Sequence, residues 1–281
     1  MDSLVSIGWL AEQLGAPDLA IIDASAHLPD AGRDPAAEFV AAHIPGALHL
    51  DLATLKDPDS PVPSALPSAE QFAARMAALG VSEADRIVIY DDSDVKTSAR
   101  AWFIFRLHGA KQVAILDGGL GKWRAEGRPL ESGSDSGEAG RFVPSAGPGD
   151  VRFKADILTN LESGEEQLVD ARGAARFRGE LPDFRPGVAE GHIPGSKNLP
   201  FDMVLKEDGT FKDEAGIRAA FAEAGVDFDR PVVTPCGSGV TAAVLLFAMD
   251  LLGKRDVALY DGSWSEWGAD PDTPKATGAA S

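Results

Sequence analysis

The chain has a single cysteine in 281 residues, Cys236, in the stretch Thr234-Pro235-Cys236-Gly237-Ser238-Gly239-Val240-Thr241-Ala242. The β-branched run Val232-Val233-Thr234 predicts a strand before it, and the apolar run from Val240 to Leu252 predicts a helix after it. A thiol between a strand end and a helix start faces backbone N–H groups that have no intrahelical partner. The positive end of the helix dipole adds to them. Both favour the thiolate, the nucleophilic form of cysteine. Gly237 and Gly239 let the backbone curl around the sulfur without a Cβ clash. The competing reading is a buried cysteine that acts as a small hydrophobe. The two glycines that follow it and the strand–loop–helix setting weigh against it.

Two other residue types invite a chemical reading. Arg176 and Arg185 lie downstream of a predicted strand that ends at Asp170. Arginine pairs suit bidentate recognition of a carboxylate, and a solvated basic patch is the alternative. His-Ile-Pro-Gly occurs twice, at His43 and at His192, although only the second half has the cysteine. That predicts a structural turn rather than a catalytic histidine.

The elements that must position these residues come in two sets. Ile21-Ile22-Asp23-Ala24, the His43 turn, Ile87-Val88-Ile89-Tyr90-Asp91 and Leu116-Asp117-Gly118-Gly119 follow one another in the first half. Leu168-Val169-Asp170-Ala171, the His192 turn, Val232-Val233-Thr234-Pro235-Cys236 and Tyr260-Asp261-Gly262-Ser263 follow in the second. The offsets are 147 (Asp23 to Asp170), 149 (His43 to His192), 145 (Asp91 to Cys236) and 144 (Asp117 to Asp261). Four anchors in one order predict a duplication, with one domain per copy. The expected organisation is a first domain over 1–130, a linker over 131–150 with a polar, glycine-rich composition, and a second domain over 151–281. Strand-like runs at 19–23, 87–90, 113–116, 167–170, 231–234 and 256–260 alternate with helical patterns at 68–79, 97–108, 215–224 and 240–252. The fold class is therefore α/β, a central parallel sheet flanked by helices in each copy. Ligands in such sheets bind at the carboxyl ends of strands, where Cys236 falls. Asp91 takes that place in the first copy, which predicts a catalytically inactive domain.

Composition narrows the function. The net charge of −18 repels phosphate backbones and anionic membranes, so no nucleic-acid or membrane partner is expected. No segment has the roughly 20 apolar residues needed to span a bilayer. The start, Met1-Asp2-Ser3-Leu4, lacks the basic and apolar regions of a signal peptide, so a cytoplasmic location is expected. One cysteine rules out an internal disulfide and any multi-cysteine metal site. The histidines at 27, 43, 49, 108 and 192 show no zinc spacing, so neither metal nor cofactor is expected.

The two-copy plan, the Cys236 loop, both His-Ile-Pro-Gly turns and Tyr260-Asp261-Gly262-Ser263-Trp264-Ser265-Glu266-Trp267 resemble the rhodanese superfamily, over nearly the whole chain. Within it they are most similar to the branch that takes sulfur from 3-mercaptopyruvate. The resemblance implies two tandem rhodanese-like domains and a persulfide on Cys236, made from 3-mercaptopyruvate with release of pyruvate. The outer sulfur would pass to a thiol such as thioredoxin, or to cyanide. It also implies that Arg176 and Arg185 bind the substrate's oxygens, and that the N–H groups of Gly237, Gly239, Val240 and Thr241 stabilise the charged sulfur. Members that use thiosulfate usually carry Arg and Lys directly after the cysteine, where this chain has Gly237 and Ser238. That favours a monoanionic donor, with thiosulfate as the alternative. A non-catalytic persulfide relay is a third reading. Related phosphatases need an arginine at the position of Ala242, which excludes them. Some members pair the loop serine with an Asp and a His in the first domain. Here Ala53 and Ser64-Ala65-Leu66-Pro67 fall at those places. Ser238 is then expected to hydrogen-bond near the sulfur, with water protonating the leaving enolate.

Overall fold

A computed structural model of the chain describes residues 1–134, 139–147 and 150–280. It divides into two compact units, one of residues 1–58, 66–148 and 207–210, the other of residues 59–65, 149–206 and 211–281.

The first unit carries five strands: β1 (Leu4–Val5), β2 (Leu19–Asp23), β3 (Ala47–His49), β4 (Arg86–Tyr90) and β5 (Val113–Leu116). The second repeats them as β6 (Asp150–Arg152), β7 (Gln167–Asp170), β8 (Lys197–Asn198), β9 (Val232–Thr234) and β10 (Val257–Tyr260). The sheet orders are β1-β5-β4-β2-β3 and β6-β10-β9-β7-β8, the same topology in each. All pairings are parallel. The helices also repeat: α1 (Ile7–Gln13), α2 (Pro35–Ala41), α3 (Ala69–Leu79), α4 (Ser98–Leu107) and α5 (Gly119–Ala125) in the first half. They are followed by α6 (Lys154–Ser163), α7 (Ala174–Phe177), α8 (Glu214–Glu223), α9 (Val240–Leu251) and α10 (Ser263–Trp267).

The central strands are apolar because a parallel sheet is covered on both faces. All four residues of β5, β7 and β10 and all three of β9 are buried. One core gathers Ile21, Phe39, Val88, Tyr90, Leu120 and Trp123. The other gathers Ile157, Leu168, Val233, Tyr260, Trp264 and Trp267. α9, apolar on nearly every side, buries Ala242 through Met249. A helix of that composition must lie inside the protein. Its rigid first turn is what receives the chain after Cys236.

Of the stretch expected as a linker, residues 135–138, 148 and 149 lie outside the described residues. Residues 131–134 and 139–147 lie along the first unit, and Asp150 opens β6 of the second. Glu131 pairs with His43 through both backbone groups, Gly140 N–H donates to Ala77, and Phe142 is buried edge-on against Phe72 at 5.0 Å.

Candidate active site

β9 is the middle strand of its sheet, and Cys236 follows its end by two residues. The residue is 2% exposed. Gly239 closes the loop at φ 77°, a left-handed conformation that glycine adopts without a Cβ penalty, and caps α9. Ser238, Val240 and Thr241 are half-buried around it.

The loop's N–H groups are aimed by the next helix. Trp264 N–H donates to the Cys236 carbonyl and Ser265 N–H to the Gly237 carbonyl, both at 2.9 Å. In a planar trans peptide the N–H points opposite the C=O. Holding those two carbonyls on α10 therefore turns the Gly237 and Ser238 N–H groups the other way. Among the described residues, no protein group accepts from the backbone N–H groups of Gly237 through Thr241. A row of free donors at a helix N-terminus stabilises negative charge.

Ser263 fixes the cysteine's own backbone. Its Oγ accepts from Cys236 N–H at 3.1 Å and donates to the Tyr260 carbonyl at 2.9 Å. Ser263 sits at φ 49°, in the left-handed region. For a residue with a side chain that costs about 1–2 kcal/mol. The equivalent residue in the first unit is Gly119, at φ 57°. The second unit keeps a strained serine where its hydroxyl meets Cys236. Sequence reading noted Ser263 only as part of a repeated motif; its contrast with Gly119 was the available signal.

Arg185 reaches the loop. A Cβ on Gly237 would lie 3.1 Å from its Nη2. Its Nη1 bonds both carboxylate oxygens of Asp183, at 3.0 and 3.2 Å, and its backbone N–H donates to the same carboxylate. The Asp183 side chain is 4% exposed. Arg176, on α7, shares an aromatic ring with Arg185, that of Phe184. Arg178 is engaged elsewhere, in a two-bond pair with Glu180 at 2.7 Å each. Sequence reasoning missed Asp183 and Phe184, which immediately precede Arg185 in the chain. It also missed Arg172, which pairs with Asp170 in the buried core, donates to the Gly191 carbonyl and lies 4.5 Å over the Trp264 ring.

The two His-Ile-Pro-Gly turns are built alike. His43 stacks on Phe39 at 4.0 Å and donates through Nδ1 to its carbonyl; His192 stacks on Phe177 at 3.7 Å and does the same. Each histidine also forms an antiparallel bridge to a later segment, Glu131 in one case and Ala276 in the other.

Comparison with known proteins agrees with this geometry. Residues 6–126 and 154–270 each match the rhodanese-like domain family. The chain belongs to the rhodanese family. It is 44% identical to mouse 3-mercaptopyruvate sulfurtransferase over 94% of its own length and 91% of that protein. It is 38% identical to thiosulfate/3-mercaptopyruvate sulfurtransferase 1 of Arabidopsis thaliana, over 97% of its length and 78% of the relative. The crystal structure of SseA from Escherichia coli superposes with a TM-score of 0.86 at 38% identity, covering 95% of this chain and all of that one. As a rhodanese the chain is a sulfurtransferase, an enzyme that carries sulfur as a persulfide on a cysteine.

The first rhodanese domain keeps the loop but fills it. The Asp91 carboxylate accepts from Ser93 N–H at 3.0 Å and from Ser98 N–H, at the start of α4, at 2.8 Å. The donors that a charged sulfur would use are taken by the chain's own carboxylate. Asp92 adds a second one, bonded to Arg33 at 3.1 Å and Arg124 at 3.0 Å.

Proposed function

We propose that the chain moves sulfur from 3-mercaptopyruvate to a thiol acceptor through a persulfide on Cys236. The observation that carries this reading is the Cys236 loop itself: backbone N–H donors that meet no acceptor among the described residues, directly after one buried cysteine, with the Arg185 guanidinium against Gly237. The donor's carboxylate and carbonyl oxygens pair with Arg176 and Arg185, which presents its sulfur to Cys236. The thiolate attacks that sulfur. The S–S bond forms as the C–S bond breaks, and the electron pair leaves on the enolate of pyruvate. Water protonates the enolate, with Ser238 hydrogen-bonding near the sulfur. The N–H groups of Gly237, Gly239, Val240 and Thr241 hold the charge on the persulfide. Fixed donors of this kind typically contribute the largest electrostatic share of catalysis. A thiolate acceptor then attacks the outer sulfur, which restores Cys236 as a thiolate. A cytoplasmic dithiol protein such as thioredoxin suits that step.

The uncharged Gly237-Ser238 pair supports the monoanion over thiosulfate, since two cations at those places would suit a dianion. The test is sulfur transfer to cyanide with both donors in parallel. Expected is a kcat/KM at least about tenfold higher, or 1.4 kcal/mol, for 3-mercaptopyruvate. Cys236→Ser should lose transfer and should no longer gain the mass of one sulfur atom on incubation with donor. A preference for thiosulfate overturns the donor assignment. Transfer that survives in Cys236→Ser overturns the mechanism.

A further inference from the structure

A single exposed phenylalanine is ordinary on a protein surface. What sets Phe184 apart is what lies over it. The ring is 46% exposed, and two guanidinium groups approach it: Arg185 at 4.3 Å from the centroid and Arg176 at 5.0 Å.

Two cations drawn toward one anion site repel each other when the site is empty. Arg185 is partly neutralised by Asp183. Among the described residues no carboxylate pairs with Arg176. The face of an aromatic ring is negative and attracts a cation without accepting any of its N–H groups. A carboxylate would hold Arg176 as firmly but would occupy the donors a ligand needs, as Glu180 does for Arg178. The backbone on either side of Phe184 is tied down, because the Asp183 carboxylate accepts from both the backbone N–H and Nη1 of Arg185.

We propose that Phe184 is a positioning residue, whose ring holds Arg176 and Arg185 in place with the Arg176 donors and the Arg185 Nη2, which Asp183 leaves unused, turned to the substrate's carboxylate and carbonyl oxygens. The inference rests on the reading above that these two arginines bind the donor. Phe184 itself need not touch it.

The test is steady-state transfer from 3-mercaptopyruvate to cyanide, with KM and kcat read separately. The proteins compared are wild type, Phe184→Leu, Phe184→Tyr, Arg176→Gln, Arg185→Gln and the Phe184→Leu/Arg176→Gln double variant. Phe184→Leu keeps an apolar side chain and removes the ring face. It should raise KM by about threefold to tenfold, with kcat within about twofold. Phe184→Tyr, which keeps the ring, should restore the wild-type KM. Adding Phe184→Leu to Arg176→Gln should raise KM less than it does alone, since the arginine it would hold is gone. If the arginine variants raise KM while Phe184→Leu leaves it unchanged, the proposal is overturned and the arginine assignment stands. The proposal is also overturned if Phe184→Leu lowers kcat alone, if tyrosine fails to rescue, or if the two changes are additive. If both arginine variants leave KM unchanged, the assignment falls and the proposal with it.

Discussion

Arg176 and Arg178 are two residues apart and chemically identical, yet their surroundings separate them. Arg178 is closed by Glu180 in a two-bond pair, while Arg176 lies over the ring of Phe184 and, among the described residues, pairs with no carboxylate. A side chain whose donors are already used gains little from a ligand. Arg176→Gln should therefore raise KM for 3-mercaptopyruvate by about tenfold or more, the scale of a lost charge-assisted hydrogen bond of about 1.5–3 kcal/mol. Arg178→Gln should stay within about twofold. Parallel Michaelis curves decide the matter, and equal losses would sink the distinction. Cys236 was legible from the sequence because it is the one cysteine in the chain and Gly237 and Gly239 follow it. The difference between Arg176 and Arg178 was not, because it depends on which carboxylate each one meets.

The same contrast appears among the elements. α10 holds the Cys236 and Gly237 carbonyls, and its first residue, Ser263, holds the Cys236 N–H. Ser263→Ala and Ser263→Gly both delete that hydrogen bond, but only glycine relieves the left-handed strain. Both should lower kcat/KM by about tenfold, and the glycine variant should melt no lower than the alanine one. Wild-type kcat/KM in Ser263→Ala would show that the hydroxyl does not hold the loop. The ends of β2 and β7 differ in a way that pH can report. Asp170 has Arg172 as a buried partner. Asp23, at the matching place, is buried beside Ser25. Burial pushes the Asp23 carboxyl above its usual 3.8, with hydrogen bonds from Ser25 opposing it. A raised carboxyl favours folding while protonated, so its contribution is fully present below about pH 3.8 and is lost as pH rises through the folded value. Asp23→Asn should thus gain in melting temperature relative to wild type between pH 4 and pH 7. A difference that does not change with pH would refute this. Long elements such as β2, β4, α3 and α9 were legible to within a residue or so, because apolar runs and 3.6-residue periods need several residues to show. β1, β3, β6 and β8 have two or three residues each and no period to read.

For the molecule as a whole, the charge of −18 opposes compaction, because folding brings 44 acidic side chains closer together against 26 basic ones. Added salt screens that repulsion, with a Debye length of about 30 Å at 0.01 M and about 8 Å at 0.15 M. The melting temperature should rise by about 2–4 °C over that range, which corresponds to about 1 kcal/mol for a chain of this size. A flat or falling curve would mean that exposed ion pairs such as Arg86–Asp18 outweigh the net repulsion. The duplication was legible at this scale as well, since Asp23 and Asp170, and His43 and His192, recur in one order. The structure extends it, among the described residues, to five strands and five α-helices in each half, in one topology.

The sequence by itself determined the copy number and the parallel α/β class, and it singled out Cys236 as the candidate nucleophile. Each of these is carried by local composition: an apolar run, a repeated turn, a lone cysteine followed by two glycines. Tertiary structure decided what depends on residues far apart in the chain meeting in space. Ser263 reaches Cys236 from 27 residues away. Arg185 reaches Gly237 from another loop. The Asp91 carboxylate turns back onto Ser98 and fills the first domain's loop. Hydrogen bonds and ion pairs act over about 3 Å of space whatever the chain distance, so no spacing rule along the sequence records them.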